Sequence, residues 1–355
     1  MVSQFSQEIY IGSKPVSTLQ KPFLVAELSA NHNNEIDRAK KIIKAAAESG
    51  ADAIKFQTYT ADTITLDAKT DDFALGKGLW EGRFLYDLYS EGSLPWEWHE
   101  ELFHYARTLG LSVISSPFDE TAVKFLVDIG VDALKIASFE LTHIPLIVEA
   151  ARTGLPVILS TGMGTDEEIG EAVRQIATCS SEVILLHCVS AYPARPEEYA
   201  IRNIQKLKDK FGVLVGISDH CETNEIAAAS CLLGSVFVEK HFTIDREGGG
   251  LDDSFSQEPS GFTSLRNMLD SLHAAQSYAP QIVDGEQESL RYRRSIYCSS
   301  PIAKGDVFTV ENIKVVRPGF GLHPRHYFEL LGKTAWRDIG FAEPISIDDL
   351  SNAIL

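Results

Sequence analysis

Residues 23–59 read FLVAELSANHNNEIDRAKKIIKAAAESGADAIKFQTY. The stretch opens in an apolar run, 22–28, of the length of a buried strand. After Asn33 and Asn34, the residues Ile36, Ala39, Ile42, Ile43, Ala46 and Ala47 recur at helical spacing, while Lys40, Lys41, Lys44 and Glu48 take the other face. Ser49-Gly50 is a helix-end signal. A second apolar run, 53–59, follows at once. A buried strand, an amphipathic helix and another buried strand form the repeating unit of a parallel sheet.

The same rhythm continues outward from this stretch. Further apolar runs at 112–118, 133–138, 157–161, 183–188, 213–219 and 236–242 bring the count of strand candidates to eight, and the eighth unit ends near residue 278. Eight strictly alternating units predict an α/β chain whose main domain is a closed (β/α)8 TIM barrel, a fold of about 250 residues. An open doubly wound sheet is the second reading. The gap 60–98 is longer than the others and carries LWEGRFLYDLY and PWEWH, an aromatic content that predicts a lid or pocket wall. The rhythm stops after Ala279. The boundaries are therefore a barrel at 1–279, a polar linker at 280–294 and a small Gly- and Pro-punctuated domain at 295–355.

Composition narrows the function. With 44% hydrophobic and 23% charged residues the chain is of the globular enzyme type. A net charge of −18 argues against nucleic acid as a partner, because that binding needs clustered cations. No run approaches the roughly 20 apolar residues of a membrane helix, so no membrane partner is expected. The first twenty residues lack a basic start, an apolar run and a cleavage site, which predicts a cytoplasmic protein. Cys179, Cys188, Cys221, Cys231 and Cys298 make neither a C-x-x-C pair nor zinc-ribbon spacing and are expected as reduced thiols.

In a barrel the C-terminal ends of the strands line the active site. Those positions here hold Glu27, Lys55 with Gln57, Ser116, Lys135 with Ser138 and Glu140, Ser160 with Thr161, Ser190, Ser218 with His220, and Glu239 with His241. Residues two apart on a strand point to one side. Each residue alone has an ordinary explanation as a solvated or ion-paired side chain; their convergence on one face does not. His220 and His241 end neighbouring strands and suit either a divalent metal or plain hydrogen bonding to loops, with Asp219 and Glu239 as candidates to orient them. Lys55, Lys135, Ser138, Ser160, Ser190 and Ser218 form a cradle for a small ligand carrying phosphate and carboxylate. No G-x-x-x-x-G-K-[ST] and no strand-bound G-x-G-x-x-G occurs, so nucleotide readings lack support. Gly248–Gly250 reads as a loop, with Asp252 and Asp253 after it as acceptors for substrate hydroxyls or as ordinary loop carboxylates.

FLVAELSANHN, GADAIKFQTY, SSPFDE, LKIASFE, ILSTGM, GISDH, VEKHFTIDR and VVRPGFGLHP together resemble the sialic acid synthase family, the phosphoenolpyruvate-dependent nonulosonic acid synthases, over almost the whole chain. ELSANHN, GLW, LYDLY, PWEWH and KIASFE place the resemblance on the pseudaminic acid side of that family. The resemblance implies a barrel with an antifreeze-like (SAF, β-clip) C-terminal domain in a domain-swapped homodimer. It implies a transferase that condenses phosphoenolpyruvate with an amino-sugar aldehyde, 2,4-diacetamido-2,4,6-trideoxy-L-altrose, and water. The products it implies are pseudaminic acid and phosphate, by C–O cleavage. Position by position it assigns Lys55, Gln57, Ser116, Lys135, Ser138, Ser160, Ser190 and Ser218 to phosphoenolpyruvate. His220 and His241 fall to a divalent metal, Mn²⁺ with Mg²⁺ or Co²⁺ as alternatives, and Glu27 to the acidic group beside metal and water. Glu140, Tyr192 and Asp252 fall to the sugar, as does Arg317, lent by the other subunit. Where the family often carries Asn, VSAYP places Ser190.

Two other enzyme readings remain. An N-acetylneuraminic or legionaminic acid synthase differs only in the sugar, and a Schiff-base aldolase would use Lys135 or Lys240 as nucleophile. A non-catalytic reading, with the C-terminal domain as a carbohydrate- or ice-binding module, leaves the polar strand ends without a purpose. Phe73, Leu79, Trp80, Phe84 and Trp96 of the insertion are expected near the barrel mouth as an apolar wall for a 6-deoxy sugar.

Overall fold

A computed structural model describes residues 5–76, 80–179, 182–277 and 282–353. The chain divides into two compact units, Met1–Ser277 and Tyr278–Leu355. The first opens with a hairpin outside the eight expected strands: β1 (Glu8–Ile11) runs antiparallel to β2 (Lys14–Ser17). Gly12 makes the turn at φ +61°, a left-handed conformation that glycine adopts without a Cβ clash. Ile9, Ile11 and Val16 are buried in one cluster with Phe23, Ala53, Ile114 and Phe237, and Ser112 Oγ donates to the Ile11 carbonyl at 3.0 Å. These partners sit at the starts of barrel strands, so the hairpin plugs the end of the barrel opposite the expected active site.

The eight barrel strands are β3 (Phe23–Glu27), β4 (Ala53–Thr58), β5 (Ser112–Pro117), β6 (Ala133–Ile136), β7 (Val157–Ser160), β8 (Val183–Cys188), β9 (Leu214–Asp219) and β10 (Phe237–His241). All eight pair in parallel, and β10 bonds both β9 and β3, which closes the barrel and excludes the open sheet. Alternate residues face helices and barrel interior. Leu24, Ala26, Ile54, Phe56, Leu134 and Ile136 pack outward into the main core. Val25, Ala53, Ile114, Ala133, Ile158 and Ile184 fill the lower interior. Two residues further along the same inner rows come Glu27, Lys55, Ser116, Lys135 and Ser160, so the interior changes from apolar to polar toward the strand ends.

The helix after β3 spans Ile36–Glu48 and buries Ala39, Ile42, Ile43 and Ala46, the stripe that the spacing predicts. The insertion folds as two short helices, Ala61–Ile64 and Leu85–Gly92, with tight turns at Asp71–Phe73 and Trp96–Trp98 before the helix His99–Thr108 resumes the barrel. The helix Pro259–Ser277 ends the unit. No helix among the described residues is long and apolar enough to cross a membrane. All five cysteines are free.

The second unit pairs β11 (Ser295–Cys298) antiparallel with β12 (Ile313–Val316) around a core of Ile296, Cys298, Phe308, Ile313, Leu330, Ile339 and Ile345. Isolated bridges such as Ile302 with Ile339 and Val307 with Thr334 complete a fold of short strand pieces. Arg337 pins its C-terminal turn through Asp349 at 2.7 Å and Glu343 at 2.5 Å. Within the stretch read as linker, Asp284–Gln287 and Glu288–Tyr292 form helical turns.

Candidate active site

Strand register brings the inner-row residues together. Glu27 lies opposite both His241 and Lys55, Gln57 opposite Ser116, and Glu239 opposite Ser218. At this level Lys55 Nζ contacts Glu27 Oε1 at 2.8 Å and Glu239 Oε1 at 3.3 Å, and Lys135 Nζ reaches Glu239 Oε1 at 3.5 Å. Ser218 Oγ donates to Glu239 at 3.0 Å, and Gln57 Nε2 donates to Glu27 at 2.7 Å. All four charged groups are almost fully buried. Burial alone pushes Glu27 up, but Lys55, His241 and Lys135 outweigh it and hold the carboxyl below the usual range, so it is ionised at neutral pH. Lys55, against the same burial, is raised by Glu239 and Glu27. Lys135 has weaker compensation: burial lowers it, and Lys55 adds to that effect.

Above the lysines stand the histidines, with ring centres 5.4 Å apart. His220 Nδ1 lies 2.8 Å from the Val189 carbonyl, a bond that requires the proton on Nδ1, and against burial the neighbouring Cys188 and that carbonyl raise this imidazole above its ordinary value. The Tyr199 hydroxyl accepts from the His220 backbone N–H at 2.6 Å. His241 Nε2 sits 3.4 Å from Glu27 Oε2, and burial holds this imidazole below its ordinary value despite Glu27 and Asp252. The Tyr192 ring packs on both histidines at 4.3 and 6.0 Å and on Phe255 at 5.5 Å.

These groups line one cavity of about 550 Å³ at the C-terminal mouth of the barrel. Glu27, Lys55, Gln57, Ser116, Lys135, Ser138, Glu140, Ser160, Ser190, Tyr192, Ser218, His220, His241 and Asp252 all face it. Thr161 does not; its hydroxyl donates to the Leu186 carbonyl at 3.0 Å. Arg317 belongs to the second unit, where it is exposed in the turn after β12. Glu140 is pushed up to about 7 by burial, only partly offset by Lys135.

The insertion forms one wall, but not through the expected residues. Ile64, Leu75, Trp80, Leu85, Leu88 and Tyr89 line the cavity. Of the expected residues Phe73, Trp80, Phe84 and Trp96, which are among the described ones, only Trp80 does so, with its ring 6.4 Å from Tyr192. Trp96 instead stacks on Phe125 at 4.8 Å, Phe84 lies under the Lys69 ammonium, and Phe73 is off the cavity; Leu79 lies outside the described residues. The carboxylates expected to orient the histidines act elsewhere. Glu239 serves the two lysines and Ser218, and Asp219 points to the outer side, where it pairs with Lys240 at 2.8 Å. Lys240 also donates to the carbonyls of Cys221, at 2.5 Å, and Thr223, at 2.9 Å, and is absent from the cavity lining, so it is not a Schiff-base nucleophile for this site. The sequence reading overlooked Cys188, Tyr59 and Phe118, all of which line the cavity. Cys188 follows the period-two alternation of β8 and was available from it.

The model of the NeuB family matches residues 42–280, and that of the SAF domain matches residues 293–351. The pseudaminic acid synthase of Helicobacter pylori (strain ATCC 700392 / 26695) is 40% identical over 339 residues, covering 95% of this chain and 100% of the relative. This chain belongs to the NeuB family. A second pseudaminic acid synthase, from Campylobacter jejuni subsp. jejuni serotype O:23/36, is also 40% identical, over 94% of this chain and 98% of that one. Among solved structures, N-acetylneuraminic acid synthetase from Leptospira borgpetersenii, in complex with citrate, matches with TM-score 0.71 and 31% identity over 81% of this chain and 96% of that chain.

A metal fits the cavity of this NeuB chain on two observations. Its lining sets the carboxylates Glu27 and Asp252 beside the two histidines, a mixed oxygen and nitrogen donor set of the kind divalent ions accept. The histidines supply nitrogen donors, and His241 Nδ1 is buried without a hydrogen-bond partner among the described residues. No group of three His, Cys, Asp or Glu among the described residues stands close enough to hold an ion alone. Such an ion would take its remaining ligands from water and substrate, the open arrangement of catalytic rather than structural sites.

Proposed function

We propose that this chain is a pseudaminic acid synthase, joining phosphoenolpyruvate to 2,4-diacetamido-2,4,6-trideoxy-L-altrose. The observation that carries this reading is a single cavity with a cationic, hydroxyl-lined floor and an apolar wall, in a chain 40% identical to pseudaminic acid synthases over nearly its full length. The floor suits a small ligand with phosphate and carboxylate groups. Ser116 Oγ and Ser160 Oγ are buried with no partner among the described residues, which leaves both free to donate to such a ligand. Lys55 and Lys135 supply charge, and Ser138, Ser190, Ser218 and Gln57 complete the set of donors.

A divalent ion such as Mn²⁺, held by His220 and His241, would act as a Lewis acid on the aldehyde oxygen. Carbon 3 of phosphoenolpyruvate forms the new bond to the aldehyde carbon with the electron pair of its C=C bond, while the C=O π pair moves to the aldehyde oxygen, which takes up the proton that water gives up in the next step. Water adds at carbon 2, and Glu27 accepts its proton. An anion arriving at Lys55 draws that ammonium away from Glu27, which raises the basicity of a carboxylate otherwise held too acidic. Collapse of the resulting intermediate breaks the C–O bond, and Lys55, Lys135 and the serines stabilise the departing phosphate. Tyr192, Asp252 and Glu140 bind the sugar, with Arg317 lent by a second copy in a domain-swapped dimer. The reaction belongs in the cytoplasm, where phosphoenolpyruvate is made.

Phosphoenolpyruvate labelled with ¹⁸O at its bridging oxygen tests the chemistry. The label is expected in the released phosphate; label retained in the sugar product would mean P–O cleavage and would overturn the mechanism.

A further inference from the structure

Among the described residues six other than glycine hold positive φ: Ser29, Asn33, Asn34, Met163, Ala200 and Ala342. Asparagine tolerates this region, and Met163, Ala200 and Ala342 are exposed. Ser29 differs: it is 4% exposed and sits at φ +50°, two residues beyond Glu27. Glycine would relieve the clash of its Cβ. What glycine lacks is the hydroxyl, and that hydroxyl is fully engaged. It donates to Asp252 Oδ2, and Gln57 Nε2 lies 3.4 Å from it while donating to Glu27 at 2.7 Å. A chain of polar contacts thus runs from the carboxylate beside His241, through Gln57 and Ser29, to Asp252, whose Oδ2 stands 4.0 Å from His241 Nδ1.

The loop that carries Asp252 does not depend on Ser29 for its own shape. The next residue, Asp253, is buried and binds Arg38 at 2.9 Å, the Thr243 hydroxyl and the Gly250 N–H at 2.6 Å. Ser256 Oγ donates to the Asp252 carbonyl at 2.7 Å, and Asn31 Nδ2 donates to Ser256 at 2.9 Å. The backbone is moored by Asp253, Ser256 and Asn31, whereas the Asp252 side chain faces the cavity. The sequence left the roles of these two adjacent carboxylates open; the structure gives Asp253 to the loop and Asp252 to the pocket.

We propose that Ser29 is a positioning residue whose hydroxyl fixes the Asp252 carboxylate at the sugar end of the cavity and so sets recognition of the amino-sugar, an inference that rests on the synthase reading. The strained backbone is retained because the hydroxyl must stand at that point, between Gln57 and Asp252.

The test uses Ser29→Gly and Ser29→Ala in the full-length protein. Ser29→Gly loses the hydroxyl and the strain together, whereas Ser29→Ala loses the hydroxyl alone. Both are expected to raise KM for the sugar about tenfold or more while KM for phosphoenolpyruvate stays within about twofold. Ser29→Ala is expected to melt below Ser29→Gly. Combined with Asp252→Asn, Ser29→Gly should add little further loss, because both changes disable one interaction. An unchanged sugar KM, or fully additive effects, overturns the proposal. Crystal structures of the wild type and Ser29→Gly separate this outcome from failure of the functional reading. If the wild type converts no amino-sugar, the synthase reading falls, yet an Asp252 carboxylate that stays in place in Ser29→Gly still overturns the positioning role, and one that departs supports it.

Discussion

His220 and His241 have different supports, and those supports fix what their loss should do. His220 is held by the Val189 carbonyl and the Tyr199 hydroxyl, His241 by its place beside Glu27 at the end of β10. Replacing either with Ala is expected to lower turnover more than about a hundredfold, beyond the effect of losing a group that merely orients a ligand. Mn²⁺ binding followed by electron paramagnetic resonance should weaken in parallel, with the circular dichroism spectrum unchanged. Wild-type turnover in both variants would remove the metal assignment. Glu140 offers a pH test. Its folded-state value near 7 lies above the ordinary carboxyl value, so the stability tied to its neutral form is fully present below about pH 4.5 and lost as pH rises through 7. Glu140→Gln keeps the neutral shape at every pH. The variant should match the wild type near pH 4 and exceed it by up to about 3 kcal/mol at pH 8, read by chemical denaturation. A constant difference across that range would contradict the buried-carboxyl account.

Elements turn isolated side chains into a site, and here the sequence was most informative. Period-two alternation put Lys55, Gln57, Ser116, Lys135, Ser160, Ser218, Glu239 and His241 on one face of their strands, and each of them lines the cavity. The same alternation argued against Asp219 and Lys240 as site residues, since they fall on the other face between Ser218 and His220 or between Glu239 and His241. Reading Asp219 as a partner of the histidines neglected that parity. Within the insertion no such rule operates. Its short helices and turns carry aromatic residues on every side, so which of Phe73, Trp80, Phe84 and Trp96 faces the mouth depends on tertiary packing that no local period encodes. The hairpin of β1 and β2 escaped because its strands are four residues each, although Gly12 at the turn was a usable signal. The outward pair Lys240–Asp219 has its own consequence: it fastens the loop after β9 to β10. Lys240→Met strands a buried carboxylate and should cost about 3–5 kcal/mol, whereas adding Asp219→Leu should recover much of that loss. Two single-variant losses that simply sum would show that the pair does not interact.

For the molecule as a whole, the element to test is Arg317, which lies in the second unit on an exposed turn. If a second copy lends it to the barrel, the Arg317→Ala and His241→Ala variants, each nearly inactive alone, should regain activity when mixed and allowed to exchange subunits. A mixed dimer then holds one barrel with intact histidines facing an intact arginine. Heterodimers without activity would sink the shared site. The central claim concerns the sugar, and the wall of Ile64, Leu75, Trp80, Leu85 and Leu88 makes it specific. An apolar wall favours a methyl group over a hydroxymethyl by about 1–3 kcal/mol, so discrimination should be roughly 10- to 200-fold in kcat/KM. The direct measurement offers the purified enzyme phosphoenolpyruvate, Mn²⁺ and, in turn, the precursors of pseudaminic, legionaminic and N-acetylneuraminic acids, with products identified by mass and NMR. The account predicts the highest kcat/KM for 2,4-diacetamido-2,4,6-trideoxy-L-altrose and pseudaminic acid as its product; either N-acetylmannosamine or the legionaminic acid precursor as the best substrate would contradict it.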